Sequence, residues 1–370
     1  MEARTNAARS RTAARGAGGR SAAEAARSAP IPARRPRSRA PGTGRTIPPM
    51  SPFPRRTFLE LAAAGLALPA FPRRQDGEPV LAPPCGGDPN DLPQRVLGKT
   101  GRTLPILGLG CFPLGGLADE DEAVAVVKHA LESGARYFDT APSYHDGASE
   151  RRVGKGLKEH AREELYVATK TLARDGDEAL AELERSLERF GMEYVDGVQV
   201  HEVRSEEDVE ALFAKDGVVK GLESAREKKK LRFIGITAHK DPAVLVKACE
   251  RYEFATALVP INPLDPKHAS FVKEFLPTAR AKELGVIAMK VYAGGALLAE
   301  PRKVTPGDLV RWALAQDGVT LAVPGADTVP YWDEARYAAA QPLPNEKEQA
   351  RIVEAVGAHQ GKKSEWYKRD

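Results

Sequence analysis

The chain has 370 residues, of which 42% are hydrophobic and 29% charged, with a formal net charge of +4. That length allows one large α/β domain with appendages, or two ordinary domains. The charge is unevenly spread. Residues 1–49 hold 11 Arg, 2 Glu and no Lys or Asp, a net +9, which leaves −5 on residues 50–370. A mildly acidic body argues against a nucleic-acid groove as the main function. The three cysteines, Cys85, Cys111 and Cys249, show no Cys-x-x-Cys spacing and no even framework. They argue against a zinc ribbon, an iron–sulfur cluster and a disulfide scaffold, and no metal site is expected.

Residues 1–49 are mostly Ala, Arg, Gly, Pro and Ser. Such a segment cannot bury enough apolar surface to offset its ordering entropy, so disorder is expected. A basic nucleic-acid-binding arm is one alternative. The preferred expectation is an overlong start assignment, because Met50 stands directly before a targeting signal. That signal spans residues 50–72. It has paired Arg55-Arg56 followed by Thr57, Phe58 and Leu59, then a weakly apolar run from Leu61 to Ala70. This pattern resembles the twin-arginine export motif, and the run is too short for a membrane span of about 20 residues. The resemblance implies the twin-arginine export machinery as a partner and a periplasmic or extracytoplasmic location, with a cytoplasmic one as the alternative. No good Ala-x-Ala site closes the run, which leaves cleavage open. Residues 73–94, rich in Pro, Gly and Asp, form a linker.

From Arg95 the chain becomes regular. Arg95–Pro105 carries the Gly-Lys-Thr-Gly turn of a small hairpin. Eight strand candidates follow: 106–111, 136–139, 165–170, 195–201, 232–237, 256–261, 286–290 and 320–323. Helices alternate with them. Asp119 with Glu122 forms a cap pair, Leu180, Leu183 and Leu187 line one face, and Gly191 ends that helix. Asp241-Pro242 and Thr305-Pro306 each place a cap residue before a first-turn proline. Eight such units over residues 95–345 fit a (β/α)8 TIM barrel capped by the N-terminal hairpin. An open doubly wound sheet has the same local grammar and is the alternative. Residues 346–370 form a C-terminal helix and tail.

Glycines at 108, 110, 115 and 116 mimic a dinucleotide-binding fingerprint, but Pro113 stands where its third glycine belongs. This stretch is expected to be the first strand-to-helix loop at the barrel mouth.

Four polar residues fall at or just beyond strand ends. Asp139 ends the second strand, Tyr144 lies in the loop after it, Lys170 ends the third strand and His201 the fourth. Strand ends on one rim of a barrel converge, so all four can share a pocket. Taken singly, each has a structural explanation, as a buried ion pair or a satisfied core histidine.

This constellation resembles the aldo-keto reductases from about Arg95 to Pro342. The resemblance rests on Phe138-Asp-Thr-Ala-x-x-Tyr144, Ser149-Glu150, Val153-Gly154, Ala168-Thr-Lys170, His201, Gly235-Ile-Thr237 and Val323-Pro-Gly325. It implies Asp139, Tyr144, Lys170 and His201 as a catalytic tetrad, a nicotinamide dinucleotide as cofactor and a small carbonyl or alcohol compound as substrate. Lys170 beside Tyr144 is expected to lower the phenol's pKa of about 10, and His201 to align the substrate oxygen.

The implied cofactor contacts are Thr237, Asn262, Met289, Lys290, Pro324, Gly325, Ala326, Asp327 and Glu334. Here the chain departs from the family. No cation stands between Val323 and Tyr331, and Asp327 would repel a 2′-phosphate. Ala335, Ala238 and Leu258 replace residues that usually hold the adenine and the nicotinamide amide. NAD and NADP both stay open. An active oxidoreductase is expected, with a non-catalytic nucleotide-binding or sensing protein of the same fold as the alternative. Trp366 and Tyr367 either line a pocket or belong to a loose amphiphilic end.

Overall fold

Eight short runs of β-branched, aromatic and small residues pair in parallel, each with the next in chain order. The computed structural model describes residues 92–299, 303–359 and 364–368. The predicted segments 1–49 and 50–72 and most of the linker lie outside the described residues.

The chain enters through an antiparallel hairpin, β1 (Gln94–Val96) and β2 (Thr103–Pro105). A 3-10 turn over Gly98–Thr100 joins them, ended by Gly101 in the left-handed region. The barrel strands are β3 (Leu109–Gly110), β4 (Tyr137–Asp139), β5 (Tyr166–Thr171), β6 (Val195–Val200), β7 (Leu231–Thr237), β8 (Thr256–Pro260), β9 (Gly285–Met289) and β10 (Val319–Ala322). The sheet closes on itself. Leu107 bridges Ala322, Gly110 bridges Gly325, and the Gly110 amide donates to the Pro324 carbonyl at 3.0 Å. This closure explains the Gly-Leu-Gly run: a Cβ at Gly110 would stand 2.7 Å from the Val323 carbonyl oxygen. The closed barrel is the predicted fold, and the open-sheet alternative is excluded.

Parallel strands are covered on both faces, and every residue of β4, β5 and β6 is buried, including the polar Asp139, Thr169, Lys170, Thr171, Asp196 and Gln199. The barrel interior holds Tyr137, Tyr166, Leu258, Ile287, Met289 and Leu321, closed below by Leu97 and Leu104 of the hairpin. Tyr137 stacks on Tyr166 at 5.0 Å, and Tyr166 on Phe233 at 6.2 Å. The hairpin therefore plugs one end, and the other end is left for chemistry.

The helices start where the sequence puts caps. The Asp119 side chain accepts from the amides of Asp121 and Glu122 at the head of α1 (Glu120–Glu132). Gly191 ends α2 (Gly176–Phe190), whose buried face includes Ala179, Leu183, Leu187 and Phe190. Asp241 caps α3 (Pro242–Arg251), and Thr305 forms a full capping box with Asp308 on α4 (Pro306–Leu314). The C-terminal helix α5 (Glu346–Ala355) has a second capping box, Asn345 with Glu348. The stretch expected as the first strand-to-helix loop contains one short helix, Phe112–Gly115, with Pro113 in its first turn, where it has no intrahelical bond to lose.

Candidate active site

Asp139 is the last residue of β4, Lys170 the penultimate residue of β5, and His201 follows β6 directly. All three stand at the same rim. Lys170 Nζ lies 2.7 Å from Asp139 Oδ2 and donates to the Thr140 carbonyl at 2.8 Å. The same ammonium is 4.7 Å from the centre of the Tyr144 ring. The Tyr144 ring meets His201 edge-on at 6.3 Å and Phe112 at 5.1 Å. The structure thus brings the four sequence-predicted residues into one cluster.

The supporting contacts explain the neighbouring motif residues. Ser149 accepts from the Thr140 hydroxyl at 2.7 Å and donates to the Cys111 carbonyl at 2.8 Å, tying the ends of β3 and β4 together. Glu150 accepts from Thr169 on β5 at 2.6 Å and from Arg189 on α2. Both stand on the helix Ala148–Leu157, which follows the Tyr144 loop. That loop passes through left-handed backbone at His145, Asp146 and Gly147, with φ of 51°, 52° and 73°. Glu202, after His201, and Lys290, after β9, are left-handed too, at 52° and 53°. Non-glycine residues in this region cost on the order of 1 kcal/mol each, so packing at the mouth holds the chain in shapes it does not favour.

Electrostatics set the protonation states. Burial works against the Lys170 ammonium, but Asp139 and Tyr144 outweigh it and hold its pKa above the ordinary lysine value. Burial pushes the Asp139 carboxyl up, with Lys170 pulling it back. For Tyr144 the sequence-based sign is reversed. Burial raises the phenol above its ordinary value, and the opposing pull of Lys170 does not overcome it. Tyr144 is therefore a protonated phenol here, able to donate. Burial, reinforced by Lys170, His239, Arg174 and Lys290, drives the His201 pKa well below its usual value. His201 is a neutral imidazole, and its Nδ1 is buried without a hydrogen-bond partner.

The nine predicted cofactor residues divide. Thr237 is fully buried, and its hydroxyl accepts from the Glu202 amide at 3.0 Å. The Asn262 carboxamide is engaged on both sides: it donates to the Lys290 carbonyl at 3.1 Å and the Tyr367 hydroxyl at 2.8 Å, and accepts from the Leu264 amide at 3.0 Å. Met289 packs inside the barrel, and Ala326 belongs to the outer core. Pro324 and Gly325 serve barrel closure through their backbone. Asp327 and Glu334 are half-buried beyond β10, where Glu334 adds to the burial that raises the Tyr292 pKa. Lys290 stands at the mouth, its ammonium 6.0 Å from the Phe112 ring centre.

A nicotinamide dinucleotide fits this rim on one observation in particular. Gly294 and Gly295 are left-handed in the loop after β9; a Cβ built at Gly295 meets no atom within 4 Å, whereas one at Gly294 would stand 2.7 Å from Trp366 Nε1, so only Gly295 is open. Backbone open to approach in such a turn suits a polyanion, and Lys290 beside it keeps the edge positive.

Four contributors were missed by the sequence reading or left undecided in it. Phe112 packs edge-on against Tyr144; its place after Gly-Leu-Gly was the available signal. His239 stands 6.1 Å from the His201 ring. Trp366 and Tyr367, undecided from sequence, line a cavity of about 400 Å³ together with Glu202, Arg204, His239, Lys240 and Lys290. They are held there by Lys368, whose buried ammonium lies 3.1 Å from Asp265 Oδ1, 2.8 Å from Glu365 Oε1 and 2.7 Å from the His268 carbonyl.

Comparison with known proteins agrees with this geometry. The model of the aldo/keto reductase family matches residues 106–308. The chain is 31% identical over 222 residues to L-galactose dehydrogenase of Arabidopsis thaliana, covering 55% of this chain and 66% of that protein. It is 29% identical over 233 residues to 9,11-endoperoxide prostaglandin H2 reductase of Trypanosoma cruzi, covering 59% and 77%. The holo form of an aldo-keto reductase from Bacillus halodurans superposes with a TM-score of 0.62 at 22% identity, over 71% of this chain and 96% of that one, which supports the fold. The chain belongs to the aldo/keto reductase family, whose members carry out NAD(P)-dependent carbonyl and alcohol oxidoreduction.

Proposed function

We propose that the protein interconverts a small carbonyl compound and its alcohol, with Tyr144 passing the proton. The observation that carries this is Lys170, a buried ammonium that touches Asp139 on one side and the Tyr144 ring on the other. A bound nicotinamide dinucleotide supplies or accepts the hydride. The carbonyl oxygen gains negative charge as reduction proceeds, and the Tyr144 hydroxyl donates a proton to it. Lys170⁺ stabilises the phenolate left behind, and Asp139 keeps Lys170 charged and oriented. Neutral His201 donates a hydrogen bond that aligns the substrate oxygen, a positioning and oxyanion role. In the oxidation direction the same phenol, once ionised, takes the alcohol proton. Phe112 and Trp366 flank the mouth half-exposed, and Tyr367 is buried beneath them.

NAD and NADP are both proposed as acceptable partners, because Gly325, Ala326 and Asp327 offer no cation to a 2′-phosphate. The non-catalytic reading is favoured by one observation, the engagement of Asn262 by Tyr367 instead of by an open pocket. Purified protein assayed with both dinucleotides against a panel of aldehydes, ketones and alcohols separates the two. Turnover of any panel member supports catalysis, and saturable dinucleotide binding without turnover supports the sensing protein.

We further propose, on the sequence of residues 50–72 alone, that the protein is exported by the twin-arginine route with its dinucleotide already held. A fusion of residues 50–94 to a reporter that stays cytoplasmic would refute export.

A further inference from the structure

Beside the tetrad lies the 400 Å³ cavity, lined by Glu202, Arg204, His239, Lys290, Trp366 and Tyr367 among others. Glu202 is already taken by an ion pair with Arg204 and stands 3.7 Å from His239 Nδ1. Lys290 has no such partner: among the described residues no carboxylate comes within salt-bridge distance of its ammonium. Its neighbours are ring faces, Trp366 at 5.0 Å, Tyr367 at 5.9 Å and Phe112 at 6.0 Å. Ring faces offer an ammonium partial compensation only, and the half-buried Lys290 has no carboxylate in ion-pair contact to add to it. His239 Nδ1, in the same wall, makes no hydrogen bond and has the Glu202 carboxylate 3.7 Å away. An ammonium faced by rings instead of a carboxylate, beside an open volume, describes a site that can take an anion.

Position tells which anion. Lys290 points toward Phe112, which packs edge-on against Tyr144, and His239 leads directly to His201. A negative group held by Lys290 is thus one side chain removed from the proton donor and the substrate-aligning imidazole. We propose that this cavity receives the carboxylate of the substrate, so that the preferred substrates are oxo acids or hydroxy acids, with Lys290 as the specificity-determining counter-charge. The inference rests on the carbonyl/alcohol reading of the tetrad. The same anion chemistry belongs to the dinucleotide's diphosphate, and the experiment has to tell the two apart.

The test measures kcat and KM for 2-oxo and 4-oxo acids, each paired with the neutral compound that lacks the carboxylate (4-oxobutanoate against butanal, pyruvate against acetone). At least one acid is expected to exceed its partner in kcat/KM by tenfold or more. Lys290→Met should abolish that preference through KM, and Lys290→Arg should retain most of it. A parallel titration measures the dinucleotide Kd of each variant. Equal losses on acid and neutral partner would overturn the inference. So would a tenfold loss of dinucleotide affinity with the acid preference intact, which would assign the site to the diphosphate. Succinate, which needs no hydride, is titrated in a separate arm and followed by tryptophan fluorescence, since Trp366 lines the cavity. Saturable binding weakened tenfold or more by Lys290→Met supports the site even if no carbonyl compound is turned over, a case in which the catalytic reading alone fails. No binding, or binding indifferent to Lys290→Met, overturns it.

Discussion

Lys170 and Asp139 form a buried pair at 2.7 Å, with side chains only 1% and 6% exposed. Removing one partner of such a pair strands the other charge away from water. Lys170→Met is therefore expected to destabilise the fold by about 3–5 kcal/mol. The double replacement with Asp139→Asn should cost less than the two single losses summed. Urea denaturation of the four proteins measures this, and strictly additive losses would show that the pair is not coupled.

His239 ties acid stability to the mouth. Burial, then the charges of Lys290, Lys170 and Arg204, hold its pKa at about 3, against about 6.5 for an unfolded histidine. Between those values the unfolded chain binds a proton that the native state refuses. Stability is thus fully present above about pH 6.5 and falls as the pH drops toward 3. Each such group contributes a slope of about 1.4 kcal/mol per pH unit. Replacing His239 with Gln should flatten the stability profile between pH 6 and 4 by about one proton, and an unchanged slope would contradict the assignment.

The raised pKa of Tyr144 separates the two directions of the reaction. Carbonyl reduction needs the phenol and alcohol oxidation needs the phenolate. Reduction is expected to stay level from neutral pH to beyond pH 9, while kcat for oxidation climbs with pH over the same range. Reduction that already declines near neutrality would show that Lys170 outweighs burial after all.

Cofactor choice follows from the loop after β10. If Asp327 stands where the family resemblance puts the 2′-phosphate, the preference for NADP over NAD is expected to stay below 100-fold, ~2.8 kcal/mol. Titration of both dinucleotides in one buffer decides it.

The barrel and the tetrad were visible in the sequence because each rests on local signals. Cap residues, first-turn prolines and buried runs mark the units, and Asp139, Lys170 and His201 each stand at or next to the end of a buried strand. The surroundings of Asn262 were less visible. The family resemblance offers it as a cofactor contact; its carboxamide is bonded to Tyr367, 105 residues away, and no periodicity links the two. The tail's anchor is equally remote: Lys368 and Asp265 are 103 residues apart, and each looks like an ordinary surface charge in sequence. The sign of the Tyr144 shift was also out of reach. Adjacent Lys170 can be inferred from strand ends, but the burial that overrides it is a property of the whole mouth.

The central claim is that Tyr144 passes the proton, and one substitution tests it most directly. Tyr144→Phe keeps the ring that packs on Phe112 and His201 and removes only the hydroxyl. With a substrate established for the wild type, turnover at saturation should fall at least ~100-fold, the scale of positioned acid catalysis, while the dinucleotide Kd changes less than about threefold. A variant that turns over the same carbonyl compound at the wild-type rate would contradict the account.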